Sequence, residues 1–294
     1  MEFLKIRYFL TLVLAIVGFS VSEALEGVLA LFLILTVGLL HGSNDLMVIQ
    51  RLASYEQVSG ITRRKTLLIY IGLIVAVLLL FYAQRQFALL FFVLISSFHF
   101  GQQHWHRFTK GANGFRFAFY TSYGLLIFGL LFWTHAEQSA LVIEAITSLS
   151  FTEQHFMVLS LAAFGLSMLM LFIAQSISFR VFLVELLALV FLFIVFRYTS
   201  LLLSFALYFS LWHALPSIKD QIELLYPKGT ASGLTSYAKA ALLYWGISVV
   251  GFVLILLVVG LDSVDVLELL VYFLAAITFP HVIVMSRIET ALES

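Results

Sequence analysis

Apolar positions along this chain come in unbroken runs of about 20 residues, not in the period-two alternation of a strand or the single stripe of a half-wet helix. The runs lie near residues 6–22, 26–49, 66–83, 87–106, 115–134, 156–175, 179–197, 200–218, 238–260 and 266–286. A helix rising 1.5 Å per residue crosses a hydrocarbon layer of about 30 Å in about 20 residues, so the pattern predicts ten membrane-spanning helices. Continuous stretches such as Leu67–Phe81 and Leu242–Leu261 exclude the alternation of a membrane β-barrel. The predicted fold class is all-α, a polytopic transmembrane helical bundle of about ten spans that forms one membrane domain over residues 1–294.

Composition strengthens this reading. Of 294 residues, 62% are hydrophobic and 11% charged, against roughly half and a quarter in a soluble domain, so the polar surface is too small to cover a globule in water. Lys plus Arg and Asp plus Glu are both 16, and the zero net charge supplies no basic field for nucleic acid. Sorted by side of the ten-span scheme, the basic residues divide unevenly. Fourteen fall with the N-terminus: Lys5, Arg7, Arg51, Arg63, Arg64, Lys65, Arg107, Lys110, Arg116, Arg180, Lys219, Lys228, Lys239 and Arg287. Only Arg85 and Arg197 fall opposite. The positive-inside rule then places both termini in the cytoplasm. The first run, with Lys5 and Arg7 at its start, also has the form of a signal peptide, and its removal would leave the other nine runs oriented as stated. Residues 135–155 read as the longest outer loop, acidic with Glu137, Glu144 and Glu153, and residues 220–237 as the longest inner one, with a turn at Pro227 and Gly229.

There is no cysteine, which removes disulfides, iron–sulfur clusters and thiolate chemistry. Eight histidines remain as the main reservoir of chemistry. His41, His99, His213 and His281 fall inside the second, fourth, eighth and tenth runs, all of which travel inward. The next basic residue follows after 10, 8, 6 and 6 positions, which sets each imidazole about 9–15 Å below the cytoplasmic fringe. Four imidazoles on four helices at one depth can close around a metal ion, whereas one alone equally serves an interhelical hydrogen bond. Gly42 follows His41, and Pro216 and Pro280 lie beside His213 and His281. Proline frees a helix carbonyl, here those of Trp212 and Ala276, a cost that membrane helices meet inside the protein.

Neutral imidazole suits iron, copper, zinc or nickel. A divalent ion held by imidazoles alone calls for nearby carboxylates behind the ligands. The candidates are Asp45, one turn beyond His41, Asp220, seven residues beyond His213, and Glu185, five residues past Arg180. Asp45 and Asp220 have the alternative of pairing with Arg51 and Lys219. His104 and His106 sit nearer the inner fringe and read as supporting or interfacial groups, while His135 and His155 read as solvated in the outer loop. The aromatic runs 87–100 and 191–196 face lipid for the most part and could line an apolar tunnel.

The ordered set His41-Gly42-Ser43-Asn44-Asp45, Phe98-His99-Phe100-Gly101, Trp212-His213-Ala214-Leu215-Pro216 and Pro280-His281 resembles the Brp/Blh family of membrane β-carotene 15,15'-dioxygenases. The likeness runs from the second span to the tenth. It implies a membrane-embedded oxygenase that cleaves β-carotene at its central double bond with O2, giving two molecules of retinal at a non-haem Fe(II) centre. It also implies a place in the cell's inner (plasma) membrane and a microbial rhodopsin as a recipient of the retinal. Carried onto this sequence, His41, His99 and His213 match the family's ligand motifs. Some members carry a further histidine one turn after the position of His213, where this chain has Ser217. The depth argument nominates His281 as the fourth ligand. No acid, base or nucleophile beyond the metal ligands is called for.

Other readings use the same residues differently. A membrane desaturase or hydroxylase needs clustered histidine boxes for two irons, and only residues 98–106 are clustered here. A proton-coupled transporter would use the histidines with Glu185 as a relay. A haem protein would use histidine pairs on neighbouring helices.

Overall fold

A hydrocarbon solvent offers no partner for a backbone N–H or C=O, so apolar runs of this length satisfy themselves as helices. The computed structural model describes residues 2–55, 62–106, 108, 113–174, 177–226, 230–259 and 263–293. Among them the regular structure is entirely helical. The helices are α1 (Glu2–Ser20), α2 (Glu23–Leu33), α3 (Asp45–Tyr55), α4 (Arg63–Ala83), α5 (Arg85–Trp105), α6 (Asn113–Thr134), α7 (Ala136–Thr147), α8 (Glu153–Ala174), α9 (Phe179–Tyr198), α10 (Leu201–Leu207), α11 (Leu215–Leu225), α12 (Thr230–Val259) and α13 (Ser263–Glu293). Two wide π-helical turns, Ile34–Gly38 and Tyr208–Ala214, follow α2 and α10. Arg107, Lys110, Lys228 and the turn at Pro227 and Gly229 lie outside the described residues.

Among the described residues eight stretches are long and apolar enough to cross a membrane: 3–20, 63–83, 114–134, 153–173, 179–198, 201–225, 233–258 and 266–288. They coincide with eight of the ten expected runs. The second expected run is not one helix. After the π-helical turn its backbone passes through tight bonds from Gly42 N to Leu39 O and from Asp45 N to Gly42 O, both 3.3 Å, before α3 begins. The reading of Asp45 as one helical turn beyond His41 is thereby corrected. The fourth run is one continuous helix, α5, with Ser96, Ser97, Gln102 and Gln103 buried along it.

Two further expectations are corrected. Residues 135–155 are not a loop throughout, because α7 occupies Ala136–Thr147 and buries Ser139, Val142 and Ile146. The segment 220–237, expected as the longest inner loop, is mostly helix among the described residues, with Asp220 buried in α11 and α12 beginning at Thr230. In both places a helix with a polar face was hidden by charges that read as solvent-facing.

The described chain divides into two compact units. The first comprises residues 1–34 and 93–213. Within it α6 lies along α8, and α10 packs on α2, α1, α6 and α9. Glycine sets the closeness of α5 to α6, since a Cβ at Gly101 would fall on the Tyr120 backbone and one at Gly124 on that of Ser97. Small residues at a helix crossing are how helices gain contact in lipid, where burial alone does not drive them together. The second unit comprises residues 35–92 and 214–294. There α13 runs along α4 and α3, and α11 packs against α3, α12 and α13. Its core joins Val48, Leu52, Leu224, Val284, Met285 and Ile288.

Candidate metal centre

In the second unit His41 follows the π-helical turn and His281 follows Pro280 in α13. Their rings stand edge to face with centroids 4.6 Å apart. Both are 5% exposed, so each imidazole is out of reach of bulk water. The Nδ1–H of His41 donates to the carbonyl of Gly38. The Nδ1–H of His281 donates to Asp45, 2.9 Å from Oδ1 and 3.0 Å from Oδ2. A proton fixed on Nδ1 places the lone pair of each ring on Nε2, the nitrogen then suited to a metal.

Asp45 is itself buried at 2% exposure and accepts a second donor, the Tyr70 hydroxyl, at 2.8 Å. The carbonyl of His41 receives the Gln221 amide at 2.6 Å and the Tyr237 hydroxyl at 3.2 Å. Tyr237 also reaches Gln221 Oε1 at 3.0 Å, and its own carbonyl accepts the Asn44 amide at 3.0 Å. The break in the helix around His41 is thus satisfied by side chains from α11 and α12, as backbone buried from water requires. Gly42 lies beside the His281 ring, which a Cβ there would touch at an ordinary contact distance of 3.6 Å.

In the first unit His99 of α5 and His213 of the second π-helical turn stand edge to face, again 4.6 Å between centroids. Each is 1% exposed. Phe100 packs on His213 at 4.6 Å and Phe209 stacks on it at 5.9 Å. Phe100 in turn stacks on Phe128 at 5.4 Å. Pro216 falls where the π-helical turn runs on into α11, three residues after His213. Pro280 lies inside α13, one residue before His281.

The His41–His281 pair and the His99–His213 pair are each buried, and the imidazoles of each are of a kind that could hold a metal ion. The donor set is neutral imidazole with no thiol in the sequence, a borderline set that fits ferrous iron among other first-row metals. Asp45 supplies the carboxylate expected behind such a set.

His104 Nε2 is 2.8 Å from Glu185 Oε2, and the Tyr123 hydroxyl donates to Glu185 Oε1. His106 is buried, with Nδ1 3.1 Å from the Gln103 carbonyl. Asp220 is buried in α11. His135 is not solvated: it is half-buried, with Nε2 2.7 Å from the Thr199 carbonyl. His155 is exposed and bonds Thr152. Sequence reasoning missed Tyr70, Gln221 and Tyr237. Tyr70 gave a signal as a hydroxyl inside an otherwise apolar run, and Gln221 as an amide next to the flagged Asp220.

Long apolar helices and pairs of buried histidines, one pair backed by a buried carboxylate, define a class of helical membrane proteins with residues that could hold a metal ion. The family model described as beta-carotene 15,15'-dioxygenase matches residues 32–289, and the chain belongs to that family. That match agrees with the resemblance carried by the four histidine motifs. No curated protein and no solved structure matches the chain.

Proposed function

We propose that the chain is a β-carotene 15,15'-dioxygenase whose four buried histidines together hold one ferrous ion in a single membrane-embedded domain. The observation that carries the reading is the His41–His281 pair with Asp45 behind it, in a chain of this family. The reaction breaks the central C=C bond of β-carotene and the O–O bond of O2 and forms two C=O bonds, one on each retinal. Oxygen is the only oxidant, no reductant is consumed, and no proton changes hands. Bound iron(II) supplies the oxygen chemistry.

The protein's own residues then have defined tasks. Gly38 and Asp45 hold the rings of His41 and His281 in one tautomer. Phe100 and Phe209 flank His213 and keep water from it. Outward-facing apolar side chains such as Phe87 at 66% and Phe172 at 80% exposure present a surface that a hydrocarbon substrate shares with lipid. A polyene of about 30 Å matches the hydrocarbon thickness and would enter from the bilayer. We extend the reading to ten spans with both termini cytoplasmic, a place in the inner membrane, and delivery of retinal to a microbial rhodopsin.

Expression in bacterial cells that accumulate β-carotene tests the reading. Wild type is expected to bleach the orange colour and yield retinal with about one iron per chain. His41→Ala, His99→Ala, His213→Ala and His281→Ala are each expected to stay orange. About two irons per chain points to a di-iron desaturase instead, and variants that bleach like wild type overturn the ligand assignment.

A further inference from the structure

The first helix, α1, lies before the residues matched by the family model. Most of its surface is bare apolar side chain, with Phe9 66%, Leu12 48% and Ile16 56% exposed. One narrow stripe is covered: Thr11, Ala15 and Gly18, at helical spacing. Thr11 is wholly buried, a polar side chain in the covered stripe of a lipid-facing helix, and such a group is expensive unless bonded.

Its partner is Trp212. The indole Nε1–H donates to Thr11 Oγ1 at 3.0 Å, and the Thr11 hydroxyl donates onward to the Arg7 carbonyl at 2.7 Å. Tyr8 meets the same indole edge to face at 5.0 Å, and the Arg7 guanidinium lies over it at 4.9 Å. Arg7 is also within electrostatic reach of Glu185. Three residues within about one turn of α1, Arg7, Tyr8 and Thr11, therefore grip one side chain, itself 2% exposed. Trp212 immediately precedes His213, and both belong to the π-helical turn Tyr208–Ala214.

A π-helical turn is a poor intrinsic conformation and persists where its surroundings hold it. Contacts from α1 and α2 supply that hold along the α10 segment. Ser200 N donates to Glu26 at 2.7 Å, Ser210 Oγ to the Leu33 carbonyl at 3.0 Å, and Trp212 to Thr11. The last is nearest the histidine. With Trp212 pinned, the backbone at His213 has one course, and its ring is aimed at His99.

The geometry points to α1 as a positioning element of the metal centre: Thr11, with Tyr8 and Arg7, fixes Trp212 and through it the imidazole of His213. This rests on the reading of His213 as a metal ligand. Thr11, Trp212, Arg7 and Tyr8 are positioning residues, acting through His213.

Full-length protein carrying Thr11→Val, Thr11→Ser, Trp212→Phe or His213→Ala tests this with iron(II) affinity by chelator competition, cobalt(II) visible spectra, and the thermal midpoint of the metal-free protein. Thr11→Val keeps shape but loses the acceptor, and Trp212→Phe keeps a ring but loses the donor. Each is expected to weaken iron(II) about tenfold or more, as loss of support behind a ligand does, and to shift the cobalt(II) bands. Thr11→Ser is expected to restore both. If His213→Ala loses the metal while Thr11→Val and Trp212→Phe keep wild-type affinity and spectra, the positioning role is overturned and the metal site stands. Affinity that falls only in step with the metal-free midpoint, with no rescue by Thr11→Ser, also overturns it. If His213→Ala binds iron as wild type does, the ligand reading itself fails.

Discussion

Asp45 receives the Nδ1–H of His281 through both carboxylate oxygens, at 2.9 and 3.0 Å, between residues 236 positions apart in sequence. A carboxylate at 2% exposure would be costly by itself. Tyr70 on Oδ2 and His281 on both oxygens supply the donors that offset the lost water. In return the imidazole is held in one tautomer and made a better base at Nε2. The pair therefore joins stability to ligand quality, and the two can be separated by mutation.

Asp45→Asn keeps an acceptor of the same shape but removes the charge. Iron(II) affinity is expected to fall about 10–100-fold, read by competition with a chelator, while the protein still purifies folded. Tyr70→Phe removes one donor to the same carboxylate and is expected to lower affinity in the same direction by less. An Asp45→Asn protein that binds iron as wild type would reduce the pair to a structural bond.

The helix crossing that carries His99 gives a second prediction. Gly101→Ala and Gly124→Ala each set a methyl group against backbone of the facing helix, Tyr120 and Ser97, which cannot move aside as a side chain would. Overpacking of this kind costs about 1–3 kcal/mol, and the thermal midpoint in detergent is expected to drop by several degrees. Gly72→Ala, with nothing within 4 Å of the added Cβ, is the matched control and is expected to leave the midpoint unchanged or slightly raised. Equal midpoints in all three would refute the close crossing.

Much of this was legible in the apolar runs, because lipid leaves a helix few alternatives. The eight stretches that can cross a membrane were expected near their observed positions, and the four buried histidines were singled out by their depth along the chain. The break at His41 escaped notice, since Gly38 and Gly42 are compatible with a continuous membrane helix and only tertiary partners pay for the opened backbone. Those partners, Gln221 and Tyr237, lie 180 and 196 positions away, and no local pattern joins them to His41. The helix α7 was hidden for another reason: its Glu137 and Glu144 suggested water, while its opposite face buries Val142 and Ile146. His135 was assigned to solvent on the same grounds, and its bond to the Thr199 carbonyl depends on α9 ending beside it.

The lattice behind His41 gives a third prediction. Tyr237 and Gln221 share its carbonyl and bond each other, so their losses should not add. Tyr237→Phe alone is expected to cost about 1–3 kcal/mol by leaving buried acceptors short of a donor. With Gln221→Leu added, the combined loss should be smaller than the sum of the two single losses, a coupling of about 0.5–3 kcal/mol in a double-mutant cycle by thermal or denaturant unfolding. Additive losses would mean that the two side chains act separately.

The last prediction separates His104 from the candidate ligands, although both His99 and His104 lie on α5. His104 stands 2.8 Å from Glu185, its ring stacked on Tyr123 at 5.0 Å, and Tyr123 gives its hydroxyl to the same carboxylate. Five residues along a helix turn its side chain about 140° from His99, so the two imidazoles serve different faces. His104→Gln keeps a donor for Glu185 and is expected to retain about one iron per chain with a modest loss of stability. Glu185→Leu leaves Tyr123 and His104 facing an apolar group and is expected to cost at least about 1–3 kcal/mol, seen as a lower thermal midpoint and a poorer yield of folded protein. His99→Ala, by contrast, is expected to lose the metal. Iron content after purification decides the matter: a His104→Gln protein as empty as His99→Ala would place His104 among the ligands and remove Glu185 from its role as a partner of structure alone.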